Sequence, residues 1–312
     1  MSAVVDVAVP VFAIMLAGFL AGRFRILGAS SSEALNAFVY WFALPPVLFL
    51  SMATVPLSDV FNWPFIWTII LGMAAVALPS TLIAKFLFPN SFSGLTLHGL
   101  TSVFANTGYM GIPLFIAAFG PTGTLPAVIA TAINSVLIIG LTVLFVEIGS
   151  GSGKGPRQAV GGALLAVVRG PLFIAPVAGI LWSASGLGLP VWLSNFAGLM
   201  GDASGPCALF AMGLFLVGKP ISTGLGEVSW LVIAKLALHP LITWVLAVQV
   251  FHLDAEFTRG AVLMAALPTG ALSFVIAQKY GVFVQRSSAA ILLSTVFSVV
   301  TVSALLAWFG TS

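Results

Sequence analysis

Residues 106–113, which read NTGYMGIP, lie inside a hydrophobic segment that is long enough to cross a membrane. Gly108 and Gly111 lower the stability of a helix, and Pro113 removes a backbone donor and clashes with the turn before it. We therefore predict that this helix unwinds near 106–111. The freed backbone groups, the Asn106 amide and the Thr107 hydroxyl then face protein or a water-filled cavity, because lipid cannot satisfy them. The alternative is a kink at which the glycines only allow close helix packing.

A second interruption lies at residues 268–273, which read PTGALS. Pro268 breaks the helix, and Thr269 and Ser273 carry hydroxyls one helical turn apart. If the two interrupted segments cross in the middle of the membrane, the amino-terminal ends of their half-helices favour an anion and the carboxyl-terminal ends favour a cation. The predicted substrate site consists of Asn106, Thr107, Gly108, Gly111, Pro113, Pro268, Thr269 and Ser273.

Three ionisable residues inside hydrophobic segments are candidates for coupling to a proton or a sodium ion: Asp202, Lys235 and His239. A charge in the middle of a bilayer costs about 2.5–3.5 kcal/mol on insertion scales, so such residues usually face an interior cavity. For Asp202 the alternative is a neutral or paired structural role. Lys235 and His239 share one helix face; Lys235 either binds an anionic substrate, pairs with Asp202 or snorkels to the inner interface. We expect His98 to be an interfacial residue.

The elements that position these residues are membrane-spanning helices. The chain is 60% hydrophobic and only 6% charged, whereas soluble domains carry about 25% charged residues. Its positive charges are scattered over short loops, which argues against nucleic acid as a partner. A single cysteine, Cys207, excludes an intramolecular disulfide and a multi-thiolate metal site. Hydrophobic runs predict an all-α polytopic membrane protein with ten spans, near 4–22, 34–54, 64–84, 94–119, 125–147, 170–186, 191–217, 228–250, 258–278 and 287–309.

The ten spans divide into two halves of five. We predict a first half at 1–148, a cytoplasmic linker at 149–169 and a second half at 170–312. Five spans per half make the second half an inverted repeat of the first, and Pro46–Met52 resembles Pro206–Met212, 160 positions later. With both termini on the external side, nine of the eleven basic residues lie inside, as the positive-inside rule favours: Arg23, Arg25, Lys85, Lys154, Arg157, Arg169, Lys219, Lys279 and Arg286.

The stretch 106–113 closely resembles the crossover signature of the auxin efflux carrier family, and the similarity extends over the whole chain. Residues 38–45 resemble the second span of that family, and Pro268, Ala277, Tyr280 and Gly281 resemble its ninth. This chain has no Asn at 269–273, where the family often places one, and its central loop is short.

The resemblance implies a five-plus-five inverted repeat related to the bile acid symporter and sodium/proton antiporter folds. It implies that a core domain carries the two crossed, broken helices, the fourth and ninth spans, and moves like an elevator against a scaffold. Bacterial relatives are associated with malonate, malate and similar organic acids, and plant relatives carry auxin. The expectation is a transporter of a small organic anion in the bacterial inner membrane, without a cofactor, coupled to H⁺ or Na⁺, with a homodimer as a further expectation.

Two alternatives stay open at this point. One is a sodium-coupled symporter of bile-acid type, which sodium-dependent uptake would reveal. The other is an intramembrane enzyme, but the residues before Asp202 lack the Gly-x-Gly-Asp of an aspartyl protease, and the chain has no His-Glu-x-x-His.

Overall fold

The computed structural model describes residues 2–54, 56–134, 139–150, 165, 168–218 and 224–310. Within these ranges the chain is helical, and its single β-type pairing is an isolated bridge. The helices are α1 Ser2–Arg23, α2 Ala29–Phe38, α3 Leu44–Ala53, α4 Leu57–Val60, α5 Trp63–Leu87, α6 Phe92–Val103, α7 Ile112–Phe119, α8 Leu125–Ile133, α9 Ile139–Ser150, α10 Pro171–Ala184, α11 Val191–Phe215, α12 Leu225–Ile233, α13 His239–Val245, α14 Ala255–Ala266, α15 Leu272–Tyr280 and α16 Val284–Phe309.

Proline determines where several helices widen into π-helical turns. Three such turns, at Val39–Ala43, Thr107–Gly111 and Ala234–Leu238, are each followed two residues later by a proline, Pro45, Pro113 or Pro240. A fourth, at Leu246–Val250, has no proline at this distance after it. A proline ring clashes with the carbonyl four residues before it. In all three cases that carbonyl belongs to the middle residue of the turn, so the widened turn moves it out of the way of the ring.

Among the residues that the structure describes, four helical segments are long and apolar enough to cross a membrane: Ser30–Ala53, Leu57–Leu87, Leu225–Val250 and Val284–Phe309. They overlap the predicted second, third, eighth and tenth spans, and shorter apolar helices accompany them. Large apolar side chains such as Leu78, Phe86 and Val300 are 70–75% exposed, an arrangement that is favourable in lipid and unfavourable in water. The prediction of an all-α, multi-pass membrane protein is confirmed.

The first group of helices, here the first bundle, consists of α1, α2, α3, α10 and α11. Its closest contact joins α1 and α11 through two reciprocal glycines. A Cβ on Gly213 would lie 1.9 Å from the Met15 carbonyl oxygen, and a Cβ on Gly18 would lie 2.1 Å from that of Phe210. Small residues let helix backbones approach this closely inside a membrane, where packing rather than hydrophobic burial drives association.

We expect Gly213→Val to destabilise the protein, because the new side chain must push two helix backbones apart. Overpacking of this kind typically costs about 1–3 kcal/mol. The matched control is Gly198→Val on the same helix, where an added Cβ meets nothing within 4 Å. Thermal unfolding in detergent measures the difference, and equal melting temperatures for the two variants would contradict the assignment of this contact.

The remaining long helices, α5 to α9 and α12 to α16, form the second bundle, in which α6 packs on α5 and α9 and α12 packs on α16. The two bundles meet where α1 contacts α16 and α7 and where α11 contacts α7 and the 107–111 turn. In the second of these contacts a Cβ on Gly205 would lie 3.4 Å from the Pro113 Cβ. The largest buried apolar cluster joins both bundles and includes Leu48, Phe115 and Leu209.

The predicted linker at 149–169 lies mostly outside the described residues, as do the basic residues Lys154, Arg157 and Lys219. At its borders, α9 continues through Ser150, and α10 begins at Pro171. The division into two halves with this linker stays a prediction.

Candidate functional site

The two chain segments that the sequence singled out lie side by side. Helix α6 ends at Val103 and α14 ends at Ala266, and the non-helical residues that follow pair with each other in antiparallel fashion. The backbone N–H of Asn106 donates to the Pro268 carbonyl at 2.9 Å, and the backbone N–H of Gly270 donates to the Phe104 carbonyl at 3.0 Å. These bonds satisfy backbone groups that have no helical partner inside the membrane.

Thr269 fixes this pairing to two neighbouring helices. Its hydroxyl donates to the Thr101 carbonyl on α6 at 3.1 Å, and its amide donates to the Ser294 hydroxyl on α16 at 3.0 Å. The Ser273 hydroxyl donates to the Gly270 carbonyl at 2.9 Å. The hydroxyl groups of Thr269 and Ser273 therefore both donate their hydrogen to a backbone carbonyl. Towards a ligand, these two side chains can act only as hydrogen-bond acceptors.

The side chain of Asn106 has hydrogen-bonding capacity left. It is buried, and within the part of the chain that the structure describes its Nδ2 atom has no hydrogen-bond partner. An unmatched buried amide costs about 1–3 kcal/mol, so it is a natural position for a ligand acceptor. Thr107 is also buried.

The two glycines differ in their surroundings. A Cβ on Gly108 would meet nothing within 4 Å, so space is open beside it. A Cβ on Gly111 would lie 2.8 Å from the Leu267 side chain and 2.9 Å from that of Met264. Pro113 faces Gly205 of the first bundle. The open side of the region therefore lies at Gly108, whereas Gly111 packs closely against α14 and the residue that follows it.

Lys235 and His239 are both buried, and Lys235 contacts the end of α14, the helix that precedes the second paired segment. The Lys235 ammonium donates to the Ala265 carbonyl, at the end of α14, and lies 3.2 Å from His239 Nδ1. A cation at a helix carboxyl terminus is electrostatically favourable. The interpretation that Lys235 snorkels to the interface is wrong, because its side chain is fully enclosed by protein.

The suggested pairing of Lys235 with Asp202 is also wrong. Asp202 lies on an exposed face of α11 together with Pro206, one turn away, while the ammonium of Lys235 is engaged by Ala265 and His239. Among the described residues, no three His, Cys, Asp or Glu side chains gather closely enough to hold a metal ion.

A buried carboxylate that the sequence analysis did not single out organises one end of the second bundle. Glu227, in the first turn of α12, is 2% exposed. Its Oε1 accepts from Asn90 Nδ2 and contacts His98 Nδ1, each at 2.8 Å, and its Oε2 accepts from Arg286 Nη1 at 2.7 Å. Arg286 also donates to Asn90 Oδ1 at 2.7 Å. The Glu227 cluster, defined by these four residues, ties α12 to the starts of α6 and α16.

The expectation that His98 is interfacial is wrong. Its ring is completely buried, and its Nε2 lies 2.9 Å from the Ser80 hydroxyl, which in turn accepts from Trp230 Nε1 at 2.9 Å. Both ring nitrogens of His98 therefore have partners, one on α5 and one on α12. The sequence feature that could have identified this cluster is Glu227, an acidic residue at the start of an apolar span.

Comparisons with known proteins show the family of this chain. The family described as membrane transport protein matches residues 3–306. A Rhizobium meliloti protein named "Putative malonate transporter" is 29% identical over 98% of this chain and 96% of its own length. The uncharacterised transporter YfdV of Escherichia coli K12 is 25% identical over 94% of this chain and 93% of its own length. Auxin efflux carrier component 8 of Arabidopsis thaliana is 22% identical over 96% and 95% of the two chains. The chain is a member of the membrane transport protein family, to which auxin efflux carrier-like proteins belong.

Proposed function

We propose that this protein is a secondary transporter of a small organic anion, with a malonate-like dicarboxylate as the first candidate and an auxin-like carboxylate as the second. The observation that carries the proposal is the buried side-chain amide of Asn106, whose Nδ2 atom has no hydrogen-bond partner among the described residues. It lies two residues before Gly108, beside which space is open. The names of the Rhizobium meliloti and Arabidopsis thaliana relatives support the substrate class, since malonate and auxin are both carboxylates.

The helix ends beside Asn106 support a negative charge in this site. The 107–111 turn leading into α7, and α15 beyond Gly270, both begin at the paired segments. The first amides of a helix lack intrahelical acceptors, and the amino-terminal end carries about half a positive charge. Two such ends and the Asn106 donor together suit a carboxylate.

The transport mechanism that we propose is alternating access of the elevator type. The second bundle carries the substrate and moves against the first bundle, which contains the tight α1–α11 contact. The two interrupted segments are, in this proposal, the crossed fourth and ninth spans of a ten-span, five-plus-five inverted repeat, with halves at 1–148 and 170–312. Support comes from the antiparallel pairing at Ala105 and Thr269 and from the extent of the family match.

Asp202, Lys235 and His239 stay our candidates for coupling. Lys235 donates to the Ala265 carbonyl at the end of α14, next to the substrate region, and His239 contacts it. Asp202 is exposed on α11, so a coupling role requires it to meet the second bundle during the transport cycle. The location that we propose is the inner membrane of a bacterium, with both termini outside; a homodimer stays a prediction.

A binding screen tests the substrate class directly. Purified protein would be heated in detergent with malonate, malate, indole acetate or a bile acid, each with and without sodium, and malonamide would serve as the uncharged match for malonate. We expect malonate, but not malonamide, to raise the melting temperature without sodium. A response to bile acid that requires sodium would support the symporter alternative, and a response to malonamide equal to that to malonate would contradict an anion site.

A further inference from the structure

A long apolar groove runs along the second bundle between α5, α6 and α9. Its volume is about 740 Å³, and among the described residues Lys85 is the one charged side chain in its lining. Several of the lining side chains are large, apolar and strongly exposed, among them Leu78 and Leu82 on α5. The lining also includes Ile70, Met73, Leu100 and Val103.

The dimensions of the groove suit a hydrocarbon chain. Ile70 and Lys85 both line it and are 15 residues apart on one continuous helix, which corresponds to about 22 Å at 1.5 Å per residue. One leaflet of a bilayer contributes about 15 Å of hydrocarbon. The groove therefore extends from the Lys85 end to a depth beyond the middle of the membrane.

The Lys85 end of the groove is suited to a negative charge. Lys85 is exposed in the last turn of α5, and the lining next to it includes Phe92, the first residue of α6. The amino-terminal turn of α6 adds its partial positive charge to that of the ammonium. A headgroup with a phosphate complements both, and no other charged side chain lines the groove among the residues whose side chains the structure describes.

The far end of the groove lies directly behind the proposed substrate region. Leu100 and Val103 line it from the last turn of α6, and the carbonyl of Thr101 in the same turn accepts from Thr269. A molecule in the groove thus contacts the helix that holds the paired segments in place.

We propose that this groove binds one acyl chain of an anionic phospholipid, with its phosphate at Lys85 and the first turn of α6. The lipid stabilises α6 against α5 and α9 from the side of the bilayer. Each buried methylene of such a chain adds favourable free energy, and the lysine selects the anionic headgroup. This proposal stands independently of the substrate proposed above.

The test uses the full-length protein in nanodiscs of phosphatidylglycerol and phosphatidylcholine in equal amounts, from which the protein is released for native mass spectrometry. We expect wild-type protein to retain one phosphatidylglycerol in preference to phosphatidylcholine. Lys85→Gln should reduce this preference about fivefold, the change expected for one lysine at an anionic membrane surface.

Two phenylalanine variants separate the groove from the rest of the surface. Ala74→Phe fills the groove and should abolish retention, whereas Ala75→Phe, at the exposed neighbouring position outside the lining, should leave retention as in wild type. Equal retention by both variants, equal retention of the two lipids, or oleate bound in place of phospholipid would overturn the proposal. If the wild-type protein formed dimers and Ala74→Phe abolished them, a second copy of the chain would occupy the groove in place of lipid. That result would also overturn the proposal.

Discussion

Asn106→Ala is expected to weaken the binding of a dicarboxylate by about 10- to 100-fold and to leave the fold intact. A hydrogen bond to a charged group contributes about 1.5–3 kcal/mol, which corresponds to this range of affinity. The substitution removes no hydrogen bond donated by Asn106 Nδ2, because that atom has no partner among the described residues. Titration of malonate by isothermal calorimetry or by melting temperature measures the change.

Asn36→Ala is the matched control for this experiment. Asn36 carries the same amide, lies in α2 of the first bundle and makes a long bond of 3.4 Å to Ser32. Its removal should leave affinity within about twofold of wild type, because its hydrogen bond is to Ser32 within α2 and not to either interrupted segment. If Asn106→Ala bound malonate as tightly as Asn36→Ala does, the carboxylate would have to bind elsewhere.

Glu227→Ala is expected to be the most destabilising of the variants considered, at about 3–5 kcal/mol. Breaking a buried ion pair by removing one partner leaves the other groups uncompensated. Here Arg286, Asn90 and His98 all lose the carboxylate that they share. Reversible unfolding by a denaturing detergent, or the shift in melting temperature, measures the loss.

A double-mutant cycle identifies the origin of that loss. Arg286→Ala combined with Glu227→Ala should cost less than the sum of the single changes, because residues in one network are not additive. Glu33→Ala removes an exposed carboxylate of the first bundle and should change stability by less than about 0.5 kcal/mol. A Glu227→Ala variant as stable as Glu33→Ala would show that the cluster does not stabilise the fold.

The sequence alone predicted the properties that depend on local composition. Apolar runs such as 225–250 and 284–309 are long enough to span a membrane, so the multi-pass, all-helical class follows from hydropathy. Family membership followed from the 106–113 stretch and is confirmed over residues 3–306. The ten-span repeat and the substrate site stay predictions.

The sequence could not reveal the contacts that join distant segments. His98 and Glu227 are 129 positions apart, so nothing local distinguishes a buried His98 from an interfacial one. Similarly, the position of Lys235 in its span is compatible with snorkelling, and only the packing of α14 beside it provides the Ala265 carbonyl. Periodicity gives a helix and its apolar face, but the partner of a polar side chain depends on which helices meet.

Uptake of radiolabelled malonate by liposomes that contain the purified protein tests the central claim most directly. The measurement would be made with and without a pH gradient and with Asn106→Ala alongside. We predict saturable uptake that the Asn106 variant loses; dependence on the gradient would identify the proton as the coupling ion. Folded wild-type protein that transports neither malonate nor any of the other organic anions of the binding screen would contradict the claim.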